Sequence, residues 1–125
     1  MTSERTRLYF IVDGDRVGDR LELMLLDDDL VGAAHFSAAI TEAIEAMAVA
    51  IAVQGGTVVF KGGDEVFGFI GSTETLQDVQ EIFYKRTGCG LSIGLGDTPQ
   101  AALHHLRRAK LLGGNRVVGE RPVGR

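Results

Sequence analysis

Residues 60–69 read FKGGDEVFGF, with two glycines and two adjacent acids set between hydrophobic flanks. Glycine weakens a strand and belongs where the backbone turns sharply or something must come close. Asp64 and Glu65 repel one another unless a cation lies between them. The stretch therefore reads as the tip of a β-hairpin whose strands are residues 55–60 (GGTVVF) and 65–71 (EVFGFIG). Taken alone, the tip fits a solvated surface turn as well as a cation site, because glycine and aspartate are ordinary turn residues.

The flanking chain supplies the context. Residues 7–13 (RLYFIVD) are β-branched and aromatic and stop at an acid and a glycine, the pattern of a buried strand. After Asp13-Gly14-Asp15 the period turns helical, with Val17, Leu21, Met24 and Leu25 on one face. Asp27 to Asp29 form a solvated break. Phe36, Ile40, Ile44, Met47 and Ile51 then recur at spacings of three or four, marking a longer helix that Gly55 closes. Beyond the hairpin, residues 72–86 (STETLQDVQEIFYKR) open with Ser/Thr cap candidates and carry Leu76, Val79 and Phe83 on one face. They end in Lys85 and Arg86, cations at the negative end of a helix. Residues 89–96 (CGLSIGLG) form a short strand, Thr98-Pro99 opens a last helix that Gly113 stops, and residues 115–119 (NRVVG) form a final strand.

The order β-α-α-β-β-α-β-α-β, two βαβ-like halves around a hairpin, predicts one α+β domain over residues 1–125. Its topology is ferredoxin-like, with a central antiparallel sheet and helices mainly on one face. In that topology the end of the first strand and the hairpin tip are neighbours, so Asp13 and Asp15 meet Asp64 and Glu65. Four carboxylates gathered there need metal, and hard oxygen donors without cysteine or histidine select Mg²⁺ or Mn²⁺. The loop starting DGDRVG is not an EF-hand: Val17 stands at its fifth position, Met24 at its twelfth, and a strand precedes it.

Composition narrows the classes. The chain has 125 residues, is 45% hydrophobic and 24% charged, and carries a net charge of −4, so a nucleic-acid-binding surface is not expected. Its one cysteine, Cys89, excludes an internal disulfide, and with three scattered histidines zinc is not expected. The N-terminus MTSERTR has no signal-peptide core, and the apolar segment Ala43 to Val53 contains Glu45 and is too short to span a bilayer. These features predict a cytoplasmic protein without a membrane partner.

DGD after a buried strand, GGDE on a hairpin, GLSIGLG, and finally AALHHLRRAKLLGGNRVV resemble in series the palm domain of diguanylate cyclases, the GGDEF domain. They resemble still more the palm of CRISPR polymerases, specifically the stand-alone minimal CRISPR polymerase family. The likeness runs from Leu8 to Val118. It implies a ferredoxin-like palm and a two-metal nucleotidyltransferase that builds cyclic nucleotide messengers. By position, Asp13 and Asp64 hold two Mg²⁺ or Mn²⁺ ions, helped by the Gly14 carbonyl and by Glu65, and Asp13, Asp64 and Glu65 form the catalytic set. Asp15 is read as facing away from Asp13 and is given to the nucleotide. The turn through Arg16, Val17 and Gly18 precedes a helix N-terminus whose amides hold phosphate oxygens. Gly62 and Gly63 let the nucleotide approach. Lys110 matches a lysine that contacts the triphosphate, and Arg116 lies in the closing GxNR stretch, where it anchors the acidic site or only caps the last strand. Arg107 and Arg108 are read as solvated.

Departures from the diguanylate cyclases set the base preference. Their guanine-reading Asn and Asp positions hold Leu21 and Leu30 here, neither of which can hydrogen-bond a base edge. The arginine expected before the NR pair is Gly114, and the upstream arginine-rich inhibitory motif is absent. The resemblance then implies ATP as substrate, and Ser37 is a candidate for reading adenine, against a back-bonded surface serine. The expected product is cyclic di-AMP or a small cyclic oligoadenylate, made for antiphage signalling and read by a cyclic-nucleotide-binding effector. A homodimer with facing sites is expected because one small open site cannot hold both nucleotides. The rival readings are a diguanylate cyclase making cyclic di-GMP and a catalytically silent nucleotide-binding palm; the intact DGD and GGDE acids favour catalysis.

Overall fold

A computed structural model describes residues 7–119; residues 1–6, most of the polar N-terminal stretch, and 120–125 lie outside the described residues. The elements follow the expected order: β1 (Leu8–Gly14), α1 (Val17–Leu26), α2 (Leu30–Val53), β2 (Thr57–Gly62), β3 (Glu65–Ile70), α3 (Glu74–Thr87), β4 (Leu91–Gly96), α4 (Pro99–Leu111) and β5 (Val117–Gly119). They build one five-stranded sheet in the order β2-β3-β1-β4-β5. β1 lies at the centre, antiparallel to both β3 and β4, and β5 joins β4 in parallel at the edge.

The pleat of β1 sorts its side chains. Leu8, Phe10 and Val12 are buried on one face, while Tyr9, Ile11 and Asp13 alternate onto the other. The buried face packs against α2 and α3 through Ile40, Met47, Ile51, Val79 and Phe83. Arg20 fastens α1 to this layer, donating to the Thr87 carbonyl at 3.1 Å and lying over the Phe36 ring at 4.5 Å. α4 packs on the opposite face of the sheet. A Cβ added at Gly94 would run into the backbone of Ala102 and Leu106, so this strand glycine is where α4 comes in close. Among the described residues the helices thus lie mainly on one face, and α4, on the second, carries Lys110 to the end of β1.

α2 corrects two local expectations. Asp29 is not part of a merely solvated break: it is the N-cap, accepting from the Gly32 amide at 2.8 Å. The apolar run is also longer than residues 43–53. All of Leu30–Val53 is helical and apolar enough, by length and composition alone, to cross a membrane. Phe36, Ile40, Ala43, Ile44, Met47 and Ile51 are buried against the sheet and α3, which makes α2 the core helix of this domain. Gly55 ends it as expected: its amide bonds Ala52 at 3.1 Å and the Gly56 amide bonds Ile51 at 2.8 Å, a Schellman closure.

The hairpin tip is a two-residue connection between the paired Gly62 and Glu65. Gly63 takes φ 57° at the first central position, where II′-type turns require a residue free of a Cβ. That accounts for the second glycine of KGGDE, and it delivers Asp64 directly beside the end of β1.

Candidate active site

The two acidic turns meet. Asp13 is the register partner of Glu65, and the Gly14 amide donates to the Asp64 carbonyl at 3.2 Å. The close fit depends on Gly14. A Cβ there would stand 2.7 Å from Phe83 Cζ, 2.8 Å from Val17 Cγ2 and 3.1 Å from Asp64 Oδ2. Gly14→Ala therefore has to push Phe83 and Val17 aside and presses on Asp64. The expected outcome is a loss of about 1–3 kcal/mol of stability, read by denaturant unfolding. A variant as stable as the parent would show that the junction yields freely.

Asp64 and Asp13 crowd each other within hydrogen-bonding reach. Burial, then the Asp13 charge, then the hydrogen bond between the two side chains push the Asp64 carboxyl up to about 6; a backbone hydrogen bond and Lys110 pull the other way. Above that pH Asp64 is ionised against both its burial and its neighbour, an arrangement that a hard cation relieves.

Asp15 does not face away from Asp13. Strand side chains repeat with a period of two, so the pleat that orients Asp13 sends the i+2 residue to the same side, and both carboxylates reach Lys110. Asp15 is nonetheless fully engaged. Its Oδ1 accepts from Ser92 Oγ at 2.6 Å and from Lys110 Nζ at 3.0 Å, and its Oδ2 accepts from the Asn115 amide at 2.6 Å. Asp15 is a clamp tying β1 to β4 and to the loop after α4. Sequence reasoning missed both Ser92 and Asn115. Ser92 had a signal, as a lone hydroxyl in an otherwise apolar strand; Asn115 had none, because the atom that matters is its backbone amide.

Lys110 Nζ lies 2.8 Å from the Gly14 carbonyl, 3.3 Å from the Asp13 carbonyl and 3.3 Å from Asp13 Oδ2. Arg16, in the left-handed conformation at φ 59°, ψ 28°, turns the chain into α1, whose first amides have no side-chain cap. Those amides and the positive helix end suit a phosphate. The Arg16 side chain is exposed and paired with Asp19 at 3.4 Å. Val17 is buried, so its backbone amide is the part free to meet a ligand. Gly18, Gly62, Gly63 and Glu65 are exposed at the same end of the sheet. A cleft of ≈ 420 Å³ opens beside Asp15, bounded by Arg16, Arg20, Tyr84, Cys89 and Asn115.

Two candidates stand apart. Ser37 is exposed on α2, and its carbonyl accepts the Thr41 hydroxyl at 3.2 Å. Arg116 turns back on its own loop, donating from Nε to the Gly114 carbonyl at 3.0 Å. Of the two positions where a guanine reader would stand, Leu21 packs against the core and Leu30 is exposed at the start of α2.

Among the described residues no three acidic, histidine or cysteine side chains gather into a ready-made metal group. The expected convergence of four carboxylates is thus reduced to Asp13 with Asp64, with Asp15 engaged elsewhere and Glu65 exposed. Two crowded carboxylates beside the Gly14 carbonyl still fit Mg²⁺ or Mn²⁺. Mg²⁺ typically takes one or two carboxylates and completes its shell with substrate phosphates and water.

The minimal CRISPR polymerase domain matches residues 9–120 of the chain. No curated protein sequence matches it. Among solved structures, a chain of the Csm1-Csm4 cassette in complex with cA4 is similar at 27% identity and TM-score 0.68, over 91% of this chain and 21% of that one. The same cassette in complex with one ATP gives 26% identity and TM-score 0.68, again over 91% and 21%. This chain therefore spans about a fifth of the cassette chain's length. The GGDEF domain of PA1120 (TpbB or YfiN) from Pseudomonas aeruginosa shares the fold at 17% identity and TM-score 0.53, over 90% of this chain and 77% of that one. With the family match running from β1 to the end of β5, the chain belongs to the minimal CRISPR polymerase family.

Proposed function

We propose that the chain is a metal-dependent nucleotidyltransferase that makes a cyclic adenylate, cyclic di-AMP or a small cyclic oligoadenylate, from ATP. The observation that carries this is Asp64 held half-buried against Asp13 at the mouth of α1, where burial first and the Asp13 carboxylate second raise its carboxyl to about 6. A binding-only module gains nothing from two carboxylates forced together. Family membership and the likeness to a cassette captured with ATP and with cA4 support the same reading.

Asp13, Asp64 and the Gly14 carbonyl hold the cations in this reading, with Glu65 near enough in the sheet to join as the shell fills. Bound Mg²⁺ or Mn²⁺, two ions, supplies charge neutralisation on the triphosphate and a more acidic ribose hydroxyl. The α1 amides and Lys110 hold phosphate oxygens. Phosphoryl transfer is largely positioning and charge stabilisation, so no strong general base is required of the chain. A cyclic product is useful only when read, so the partner is a cyclic-nucleotide-binding effector, and antiphage signalling is its setting.

Incubation with each nucleoside triphosphate and Mg²⁺ or Mn²⁺, followed by mass spectrometry of the products, tests the reading. Cyclic adenylate is expected. In competition at equimolar ATP and GTP, adenine should dominate the product, because neither Leu21 nor Leu30 offers guanine a hydrogen-bond partner. Mostly cyclic di-GMP refutes the ATP assignment and favours a diguanylate cyclase; no product with any triphosphate, while nucleotide still binds, favours a silent palm.

A further inference from the structure

Lys110 makes more contacts with the DGD turn than a phosphate-binding lysine needs. Its ammonium lies among four oxygens of three consecutive residues: the Gly14 carbonyl at 2.8 Å, Asp15 Oδ1 at 3.0 Å, and the Asp13 carbonyl and Oδ2, both at 3.3 Å. Two are backbone carbonyls and two are carboxylates. This is the donor class that a hard cation selects. The Gly14 carbonyl and the Asp13 carboxylate are also two of the donors assigned above to the metal.

We propose that the Lys110 ammonium is a built-in stand-in for the catalytic cation: it holds the cation's donors in the nucleotide-free protein and must leave them when the divalent ion binds. The inference rests on the two-metal reading and adds to it an order of events. An ammonium and a divalent cation cannot share the Gly14 carbonyl, since like charges that close together repel strongly in a partly buried site. Binding of the two is therefore mutually exclusive. Lysine suits the task, as a compact charge on a flexible four-carbon stem with donors that reorient easily. Lys110 lies on α4 at the opposite face of the sheet from α1, so its stem can swing without disturbing the main core. The triphosphate provides the ammonium with a new anionic partner as it leaves. Metal and nucleotide then bind cooperatively, and the metal alone binds weakly.

The test measures Mn²⁺ binding to the nucleotide-free protein by electron paramagnetic resonance of the free ion. Three proteins are compared: the parent, Lys110→Met, and Arg107→Met. Arg107 is exposed on the same helix and outside the oxygen cradle, so its loss reports the long-range field alone. Lys110→Met is expected to bind Mn²⁺ at least tenfold more tightly than the parent, and Arg107→Met within twofold of it. No gain in Lys110→Met, or an equal gain in both variants, overturns the displacement. Failure of the parent and Lys110→Met alike to bind Mn²⁺, even with a non-hydrolysable ATP analogue, overturns the two-metal reading and the displacement with it. Should Lys110→Met not fold, the parent labelled with ¹⁵N-lysine answers the question. The Lys110 Nζ resonance, assigned by its absence from Lys110→Arg, should shift when Mg²⁺ and the non-hydrolysable analogue are added together, and an unmoved resonance overturns the proposal.

Discussion

Asp64→Ala is expected to cut product formation by about 10²–10³-fold or more, the scale of losing one preorganised group that stabilises transition-state charge. The chain should stay folded. Asp64 sits at a hairpin tip whose turn depends on Gly63, and its side chain is no part of the core under α1 to α3. Stability supplies a second, independent readout. The Asp64 carboxyl is raised from 3.8 to about 6 by burial and by Asp13, so the fold favours its protonated form. That contribution is complete below pH 3.8 and is lost as the pH rises through about 6. Such a rise corresponds to roughly 3 kcal/mol for a fully enclosed group, and partial solvent exposure cuts this to on the order of 1 kcal/mol. In chelator at pH 7.5, Asp64→Ala should therefore melt at or above the parent's temperature, and the alanine's advantage should shrink toward pH 4. Turnover by the parent in excess chelator, or full activity of Asp64→Ala, would sink the catalytic assignment. A variant destabilised more at pH 7.5 than at pH 4 would show that Asp64 is held by favourable contacts rather than forced against Asp13.

How far the site is legible depends on the range over which each part is written. The hairpin tip is local. A glycine at a position needing φ 57°, followed by an acid, is readable within four residues, and so is the strand ending in DGD. Their meeting is long-range but follows from topology, because in this strand order β1 lies beside β3 and antiparallel to it. The hold on Asp15 follows from neither. Ser92 comes from 77 residues away and the Asn115 amide from 100, and the second arrives only because α4 ends in a tight reversal. That reversal has the Gly113 amide on Lys110 at 3.1 Å and the Gly114 amide on Ala109 at 2.9 Å. Gly113 is legible as a helix stop; what the stop delivers to Asp15 is not. Ser37 is the opposite case. A polar residue in an apolar run invites a ligand, yet its turn of α2 leaves it in solvent. The face chosen by α4 has a faint local sign in GLSIGLG, where Gly94 and Gly96 alternate onto one side of β4, the signature of a backbone packed close above.

Mixing is expected to expose a working homodimer. In the proposed reading the described residues of each chain offer one set of phosphate-holding groups, the α1 amides with Lys110 beside Asp13 and Asp64. A cyclic dinucleotide needs two bonds, each made by a ribose hydroxyl on one nucleotide and the α-phosphate of another. One open site at the end of a five-stranded sheet leaves little wall for the second nucleotide, whereas two such sites facing across a two-fold axis each present a triphosphate to the other's ribose. Holding both reactants in that geometry removes roughly 7–11 kcal/mol of barrier that free encounter would impose. If ring closure needs two intact subunits, Asp64→Ala chains poison their partners. At a ninefold excess of Asp64→Ala chains, random two-fold pairing leaves only about a tenth of parental chains with an intact partner, so activity per parental chain should fall about tenfold. For a weak dimer, specific activity should instead fall steadily as the enzyme is diluted. Activity per parental chain that is unchanged by excess Asp64→Ala and by dilution, from a protein that sediments as a monomer, would require one subunit to hold both nucleotides. The alternative in that case is release of a linear intermediate that then rebinds, which a chase with unlabelled ATP would detect as exchange of the intermediate before the ring closes.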